Sequence, residues 1–316
     1  MRLLIDLCHP ADVHFFFNIA QKLKKKGNLI IYTARDKDVL LQLCNEYGLR
    51  YNLVGDYSES LVGKFFKFVI RCIKLANIVK QNKIDKLIGF GNPYVVATSM
   101  LCGKKSLFVT DTEDSKWVNL IGFYASLTLL TNWSNLKPNK RVIQLPWLKE
   151  MSYINPSTED HIKKQILVRK VAWTASHDYK HKGITNINLL RKGLKDYKFI
   201  IIREQENNYK ENPLESKKDY IDLLSISSLV ITEGATTAAE AALLGTHTIY
   251  TNSQKPGYIK ELINRGIIYE AKSDYDIIII AKKLLKKKLD YNEKIEKLRA
   301  ECVDITDFTS RLINKL

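Results

Sequence analysis

Leu229-Val230-Ile231-Thr232-Glu233-Gly234-Ala235-Thr236-Thr237-Ala238-Ala239-Glu240-Ala241-Ala242-Leu243-Leu244-Gly245 passes from a short β-branched run through a small-residue turn into an Ala-rich helix carrying one acid. Strand–turn–helix units of this kind build parallel α/β sheets. Gly234-Ala235-Thr236-Thr237 lets a backbone approach a phosphate closely, and the helix that opens there offers unpaired N–H groups at its positive dipole end. Glu240, one turn in, has a carboxylate able to accept from both hydroxyls of a ribose. The G-x-G-x-x-G spacing of dinucleotide-binding domains is absent. The same stretch also fits an ordinary strand–turn–helix with a surface Glu, because Gly at such turns and Ala in helices serve packing too.

Outward from this stretch the rhythm repeats. In the amino-terminal half, Arg2–Leu7, Leu29–Thr33, Tyr51–Val54, Leu87–Phe90, Ser106–Thr110 and Leu127–Thr131 read as strands, the last closing this half, with amphipathic helices between them. Periodicity breaks from Leu145 to about Lys164, and the β–α rhythm restarts with strands at Arg169–Thr174, Lys198–Arg203, Leu229–Thr232 and His247–Thr251. The expectation is therefore an α/β chain of two Rossmann-like, doubly wound domains. The first spans 1–150, with an amphipathic segment at 303–316 packing back onto it, and the second spans 151–302.

Composition narrows the function. Of 316 residues, 50 are Lys or Arg and 34 are Asp or Glu, a formal net charge of +16 that calls for an anionic partner. Five Cys are scattered with no C-x-x-C pair, which fits a reducing cytosol. The early Asp6 argues against a signal peptide, and no apolar run has the length of a spanning helix. Between Ser60 and Ile84 there is no acid, while Lys64, Lys67, Arg71, Lys74, Lys80 and Lys83 alternate with Phe65, Phe66, Phe68, Ile70 and Ile73. A basic, Phe-tipped helix over 61–83 can lie in an anionic membrane interface, and it can equally be a domain helix with one core face and one solvated basic face. Charge alone also admits a nucleic-acid-binding protein, but no recognition motif accompanies it, so no nucleic-acid partner is expected.

Ligands of open α/β sheets bind beyond the carboxyl ends of strands, so the loops there are the places to look. The first strand leads into Cys8-His9-Pro10-Ala11-Asp12-Val13-His14, where His14 near a helix start is a candidate general base or phosphate ligand, or simply a capping or packing residue. Gly89-Phe90-Gly91-Asn92-Pro93 offers N–H groups at another helix start. Asp111-Thr112-Glu113-Asp114 either caps the next helix or places Asp111 or Glu113 at a reaction centre. Trp173-Thr174-Ala175-Ser176-His177-Asp178 and the following His181-Lys182 suit stabilisation of a departing phosphate. No zinc pattern supports metal binding by His177 and His181, and no required metal is expected.

Together these segments resemble the two-domain GT-B nucleotide-sugar enzymes. Gly234–Glu240 is similar to the G-A-x-T-x-x-E element with which the peptidoglycan lipid II-forming N-acetylglucosaminyltransferases hold nucleotide diphosphate and ribose. Gly89–Tyr94 and Val109–Asp114 fall where those enzymes have a glycine loop and a polar loop. With Val13-His14-Phe15-Phe16 and Trp173–Asp178 included, nearly the whole chain is similar to a family of unknown function, number 354, placed near these transferases and the UDP-N-acetylglucosamine 2-epimerases. The resemblance implies two domains facing across a cleft and an inverting, metal-independent transfer from a nucleotide-sugar donor, most readily a UDP-sugar. The acceptor would be a lipid-linked saccharide or polysaccharide on the cytoplasmic face of the cell membrane, to which the protein is peripheral through 61–83.

It assigns Gly234, Ala235, Thr236, Thr237, Glu240, Arg169, His177 and Lys182 to the donor, Gly89, Gly91 and Asn92 to the acceptor, and His14, Glu113 and Asp111 to catalysis. The transferases' glycine-rich first loop is replaced by Cys8-His9-Pro10-Ala11-Asp12. The epimerases' S-G-G-x-x-E-E element is only partly matched, which favours transfer over UDP-sugar 2-epimerisation or hydrolysis.

Overall fold

A computed structural model describes residues 1–37, 39–56, 61–111, 113, 116–155, 163–171, 183–203, 217–286 and 291–316. The chain divides into two compact units, Met1–Tyr153 with Cys302–Leu316, and Ile154–Glu301.

The first unit is built on seven parallel strands: β1 (Arg2–Leu7), β2 (Leu29–Asp36), β3 (Tyr51–Asp56), β4 (Lys86–Phe90), β5 (Lys105–Thr110), β6 (Leu127–Thr131) and β7 (Val142–Leu145). Their order is β3-β2-β1-β4-β5-β6-β7, so the direction of winding reverses beside β1. Leu3, Leu4, Ile5 and Leu7 are all fully buried, as expected of a central parallel strand covered on both faces. Helices α1 (Pro10–Lys25), α2 (Leu40–Glu46), α3 (Leu61–Gln81), α4 (Pro93–Leu101) and α5 (Lys116–Gly122) link the strands.

The sequence reading ended this half at Leu127–Thr131. β7 extends it, pairing Thr128 with Val142 and Thr131 with Leu145. The residues after it, read as linker, instead form a 3-10 turn at Lys149–Ser152 preceded by the fully buried Trp147.

The second unit carries β8 (Lys163–Lys170), β9 (Lys198–Arg203), β10 (Ser227–Thr232), β11 (Thr248–Tyr250) and β12 (Tyr269–Glu270), in the order β12-β11-β10-β8-β9 and again all parallel. β8 begins six residues before the expected Arg169, because its polar opening Lys163-Lys164-Gln165 disguises a strand whose Ile166, Leu167 and Val168 are fully buried. Arg169 therefore stands near a carboxyl end. Helices α6 (Ile187–Gly193), α7 (Lys217–Ile226), α8 (Ala235–Leu243), α9 (Gly257–Asn264), α10 (Asp274–Leu284) and α11 (Tyr291–Glu301) complete the unit. α6 and α10 cover one face of the sheet through Leu190, Leu194, Ile277 and Ala281.

The last helix, α12 (Ile305–Lys315), returns to the first unit. Ile305 and Ile313 enter the core with Phe16, Ile19 and Leu23 of α1. Its terminal carbonyls are held by the ammonium groups of Lys86, at 2.7 Å from the Ile313 oxygen, and Lys105, which bonds the Leu316 oxygen. Such cations suit the negative end of a helix.

Candidate functional site

At the carboxyl end of β10, Gly234 caps α8 with ordinary φ −92°, and among the described residues no side chain bonds the first-turn amides of Ala235, Thr236 and Thr237. A Cβ on Gly234 would meet the Thr232 and Thr237 Oγ1 atoms at 3.6 Å and Thr237 Cβ at 3.8 Å, all ordinary contacts, so glycine leaves space here without being required by the backbone. Thr237 Oγ1 and Tyr220 OH share a hydrogen bond of 2.7 Å, and the Arg169 guanidinium lies 5.9 Å from the Tyr220 ring centre. Glu240 is buried one turn further in. Uncapped amides, an arginine and a buried acid thus share one corner of the second unit, which can receive an anion with a diol behind it.

Glu233 supports this corner. Its carboxylate accepts from the Val171 amide at 2.8 Å and the Ile184 amide at 2.7 Å, so one buried acid ties two points of chain 13 positions apart. Its own backbone is held by Arg169 and Asn252. The sequence reading quoted Glu233 without giving it a role. An acid between a buried strand and a glycine was the available signal, but its partners are remote in sequence. The expected donor residues His177 and Lys182, with all of 172–182, lie outside the described residues.

The carboxyl edge of the first unit is filled differently. Asp6, fully buried at the end of β1, accepts from Arg71 Nη2 at 2.6 Å, Thr33 Oγ1 at 2.6 Å and Asn92 Nδ2 at 2.9 Å. Cys8 lies against the same groups, and burial, with Asp6 next, pushes its thiol far above the usual range, which makes it a poor nucleophile. Asp12 closes a capping box on α1, accepting from the Cys8 and His9 amides at 2.8 and 2.9 Å. Burial raises its carboxyl to about 7 although both of those bonds pull the other way.

His9 caps α1 by accepting from the Ala11 amide on Nδ1 at 3.2 Å, which leaves the proton of a neutral ring on Nε2. His9 stands on the exposed side of the loop, yet desolvation of its ring, then the charges of Lys37, Lys149 and Arg35, push its pKa below the usual histidine range.

The expected catalytic and acceptor residues all belong to the first unit. His14 sits 3 % exposed on α1, with Nδ1 2.8 Å from Tyr47 OH and its ring against Tyr47 and Tyr153, a packing position. Asp111 is buried and pairs with Lys149 Nζ at 3.0 Å, and that ammonium also lies 3.3 Å from Glu150. Lys149 and Glu150 escaped the sequence reading because they fall in the stretch taken as linker. Glu113 is half-buried, with Asn135 Nδ2 3.4 Å away. Asn92 is fully buried, its Oδ1 capping α4 and its Nδ2 on Asp6, so it shapes the loop from inside. Gly89 is required by close approach, since a Cβ would stand 2.8 Å from Asn92 Cβ and 2.9 Å from Val95 Cγ2. Gly91 takes φ +51° with open space beside it. Among the described residues no group of His, Cys, Asp or Glu is arranged to hold a metal ion.

α3 has two apolar faces. Cys72, Leu75 and Val79 are buried, while Phe66, Val69, Ile70 and Ile73, spaced to form a second stripe, are 62, 40, 51 and 53 % exposed. α4, which packs on α3, exposes Met100 and Leu101, and α5, which packs on α4, exposes Trp117 and Leu120. Among the described residues no helix is long and apolar enough to cross a membrane.

Two doubly wound Rossmann-like units of this kind define the chain as a GT-B-type protein. It belongs to the family described as "Protein of unknown function (DUF354)", whose model matches residues 1–126 and 139–312. An uncharacterised protein of Methanocaldococcus jannaschii is 23% identical over 303 residues, covering 87% of this chain and 89% of the relative. The UDP-GlcNAc 2-epimerase of Neisseria meningitidis, solved bound to UDP-GlcNAc, superposes with TM-score 0.70 and 13% identity over 100% of this chain and 99% of that one. MurG of Acinetobacter baumannii superposes with TM-score 0.62 and 13% identity over the whole of both chains. At these identities the likeness is one of fold.

Proposed function

We propose that this chain is an inverting glycosyltransferase that moves a sugar from a nucleotide-sugar donor, a UDP-sugar, to a lipid-linked or polysaccharide acceptor at the inner face of the cell membrane. The observation that carries the reading is the uncapped start of α8 with Glu240 buried one turn in and Arg169 beside Tyr220. The Ala235, Thr236 and Thr237 amides bind the donor diphosphate, and Glu240 accepts from the ribose hydroxyls. In the reaction an acceptor oxygen forms the new bond to the anomeric carbon, the bond from that carbon to the diphosphate breaks, and the acceptor proton passes to a base. The departing diphosphate carries the electron pair, and helix amides with Arg169 neutralise it, so the reading needs no divalent cation.

For the base we assign Glu113, since Asp111 is tied to Lys149 and His14 to Tyr47. His9, neutral and carrying its proton on Nε2, supplies a donor rather than a base. The acid-free α3 with its exposed Phe66, Val69, Ile70 and Ile73 supports a peripheral seat on an anionic bilayer, with the exposed residues of α4 and α5 extending it.

Calorimetric titration with UDP, with and without magnesium, tests the donor site. Magnesium-independent binding that Glu240→Ala weakens at least tenfold supports it, and equal affinity in that variant removes the ribose assignment. Conversion of UDP-GlcNAc in the absence of any acceptor would replace transfer by epimerisation or hydrolysis. Pelleting with anionic but not neutral vesicles supports the membrane seat, and pelleting with neither removes it.

A further inference from the structure

Side chains alternate along a strand, so Ile166, Val168 and Lys170 of β8 share one face of the second sheet. Register sets them beside Phe199, Ile201 and Arg203 of β9. The first two rungs are apolar and join the core under α6 and α10. The third rung, at the carboxyl edge where the same pattern would continue, is a pair of cations.

Arg191 of α6 reaches the same place, and a cavity of about 320 Å³ lies among Lys170, Arg191 and Arg203, with Thr185, Asn186 and Asn188 as polar walls. That volume is in the range of small-molecule sites. Among the described residues no carboxylate lines it, and the Asp274 carboxylate behind the wall is occupied by the Thr185 hydroxyl and the Thr185 and Asn186 amides. Lys170 spends one N–H on the Ile184 carbonyl at 2.7 Å, and neither Arg191 nor Arg203 is paired with an acid among the described residues. Two other cations of this unit are matched: Lys255 lies 2.7 Å from Glu270, and Arg265 lies 2.7 Å from both Glu261 and Glu301. Three like charges gathered with no ion-pair partner among the described residues repel one another, and an anion from solution relieves that repulsion.

The cavity is distinct from the corner at α8. Arg169, next to Lys170, points to the opposite face, where Tyr220 and Thr237 lie. Among the described residues the walls hold no aromatic ring on which a base could stack, and their hydroxyl and amide groups suit sugar hydroxyls. We propose that this cavity is a binding site for a phosphorylated sugar, with Lys170, Arg191 and Arg203 on the phosphate, separate from the nucleotide site.

The test uses the full chain with UDP at saturation, titrated in separate arms with glucose 6-phosphate and inorganic phosphate, and followed by calorimetry and thermal midpoint. The ester should bind and raise the midpoint, more tightly than inorganic phosphate. Arg191→Ala with Arg203→Ala should weaken it at least tenfold while leaving UDP affinity unchanged, and Arg191→Lys with Arg203→Lys should keep most of the binding. Equal ester affinity in the double Ala variant, or no ester binding by the unaltered chain, overturns the site. Equal affinity for ester and inorganic phosphate overturns the sugar assignment. Ester binding that depends on both arginines in a protein that never binds UDP keeps this site and removes the donor reading, so the two fail separately.

Discussion

The two carboxyl edges, built from the same β–α unit, are finished in opposite ways. In the first unit the edge is closed by its own charges: Asp6 is enclosed by Arg71, Thr33 and Asn92, and Asp111 by Lys149. In the second unit, among the described residues, the amides at the start of α8 and the guanidinium groups of Arg191 and Arg203 have no protein acceptor. Paired charges in a buried site fix geometry and cost heavily when split, whereas unpaired donors at an edge cost little in water and gain when an anion arrives. The first edge is therefore a closed frame, and the second is the one on which the proposed anion sites rest.

Splitting the frame should produce the largest effect. Asp6→Ala leaves the buried Arg71 guanidinium without its carboxylate, and a loss of about 3–5 kcal/mol in denaturant unfolding is expected. A loss under about 1 kcal/mol would show that water replaces the partner and that the edge is not closed. Glycine gives the next contrast. Gly89→Ala drives a Cβ into Asn92 and Val95 and should destabilise by about 1–3 kcal/mol, while Gly234→Ala, with contacts no nearer than 3.6 Å, should leave the thermal midpoint nearly unmoved. Equal effects at the two positions would erase the distinction.

Asp12 sharpens it through pH. Its folded value of about 7 lies above its unfolded value near 3.8, so the folded state keeps a proton that the unfolded state has released. Its contribution to stability is full below about pH 4 and is lost as pH rises through 7. Asp12→Asn should flatten that part of the stability–pH curve, and an unaltered curve would place the carboxyl in an ordinary setting.

At the second edge, Thr237→Val removes the partner of Tyr220 OH and should weaken UDP binding about three- to tenfold with little change in midpoint. The smallest effect belongs to the exposed pair of Lys22 with Asp304 and Asp307, where Lys22→Ala should cost under about 1 kcal/mol in the same unfolding assay.

What the residue order revealed follows from range. The strand–turn–helix at Leu229–Gly245 was legible because its β-branched run, its glycine and its Ala-rich helix are local signals. β7 was missed because Val142-Ile143-Gln144-Leu145 is four residues long and half-buried, with Pro146 directly after it. The Asp6–Arg71 pair joins positions 65 apart, and α3 reads as a basic helix whether Arg71 faces water or the core. His14 looked catalytic from its nearness to a loop, yet helix phase turns it toward Tyr47 while His9 at the cap stays with the loop. Alternation did encode the cationic rung of Lys170 and Arg203, but only the observed register shows that the two are neighbours.

The return of α12 to α1 also sets an order of events during synthesis. The second unit is one continuous stretch and can close as soon as Glu301 has emerged. The first unit, although translated first, keeps the apolar groove along Phe16, Ile19 and Leu23 uncovered until Ile305 and Ile313 arrive. The nascent chain thus finishes its later half before its earlier one. A ribosome stalled just short of α12 would hold a completed second unit and an unfinished first.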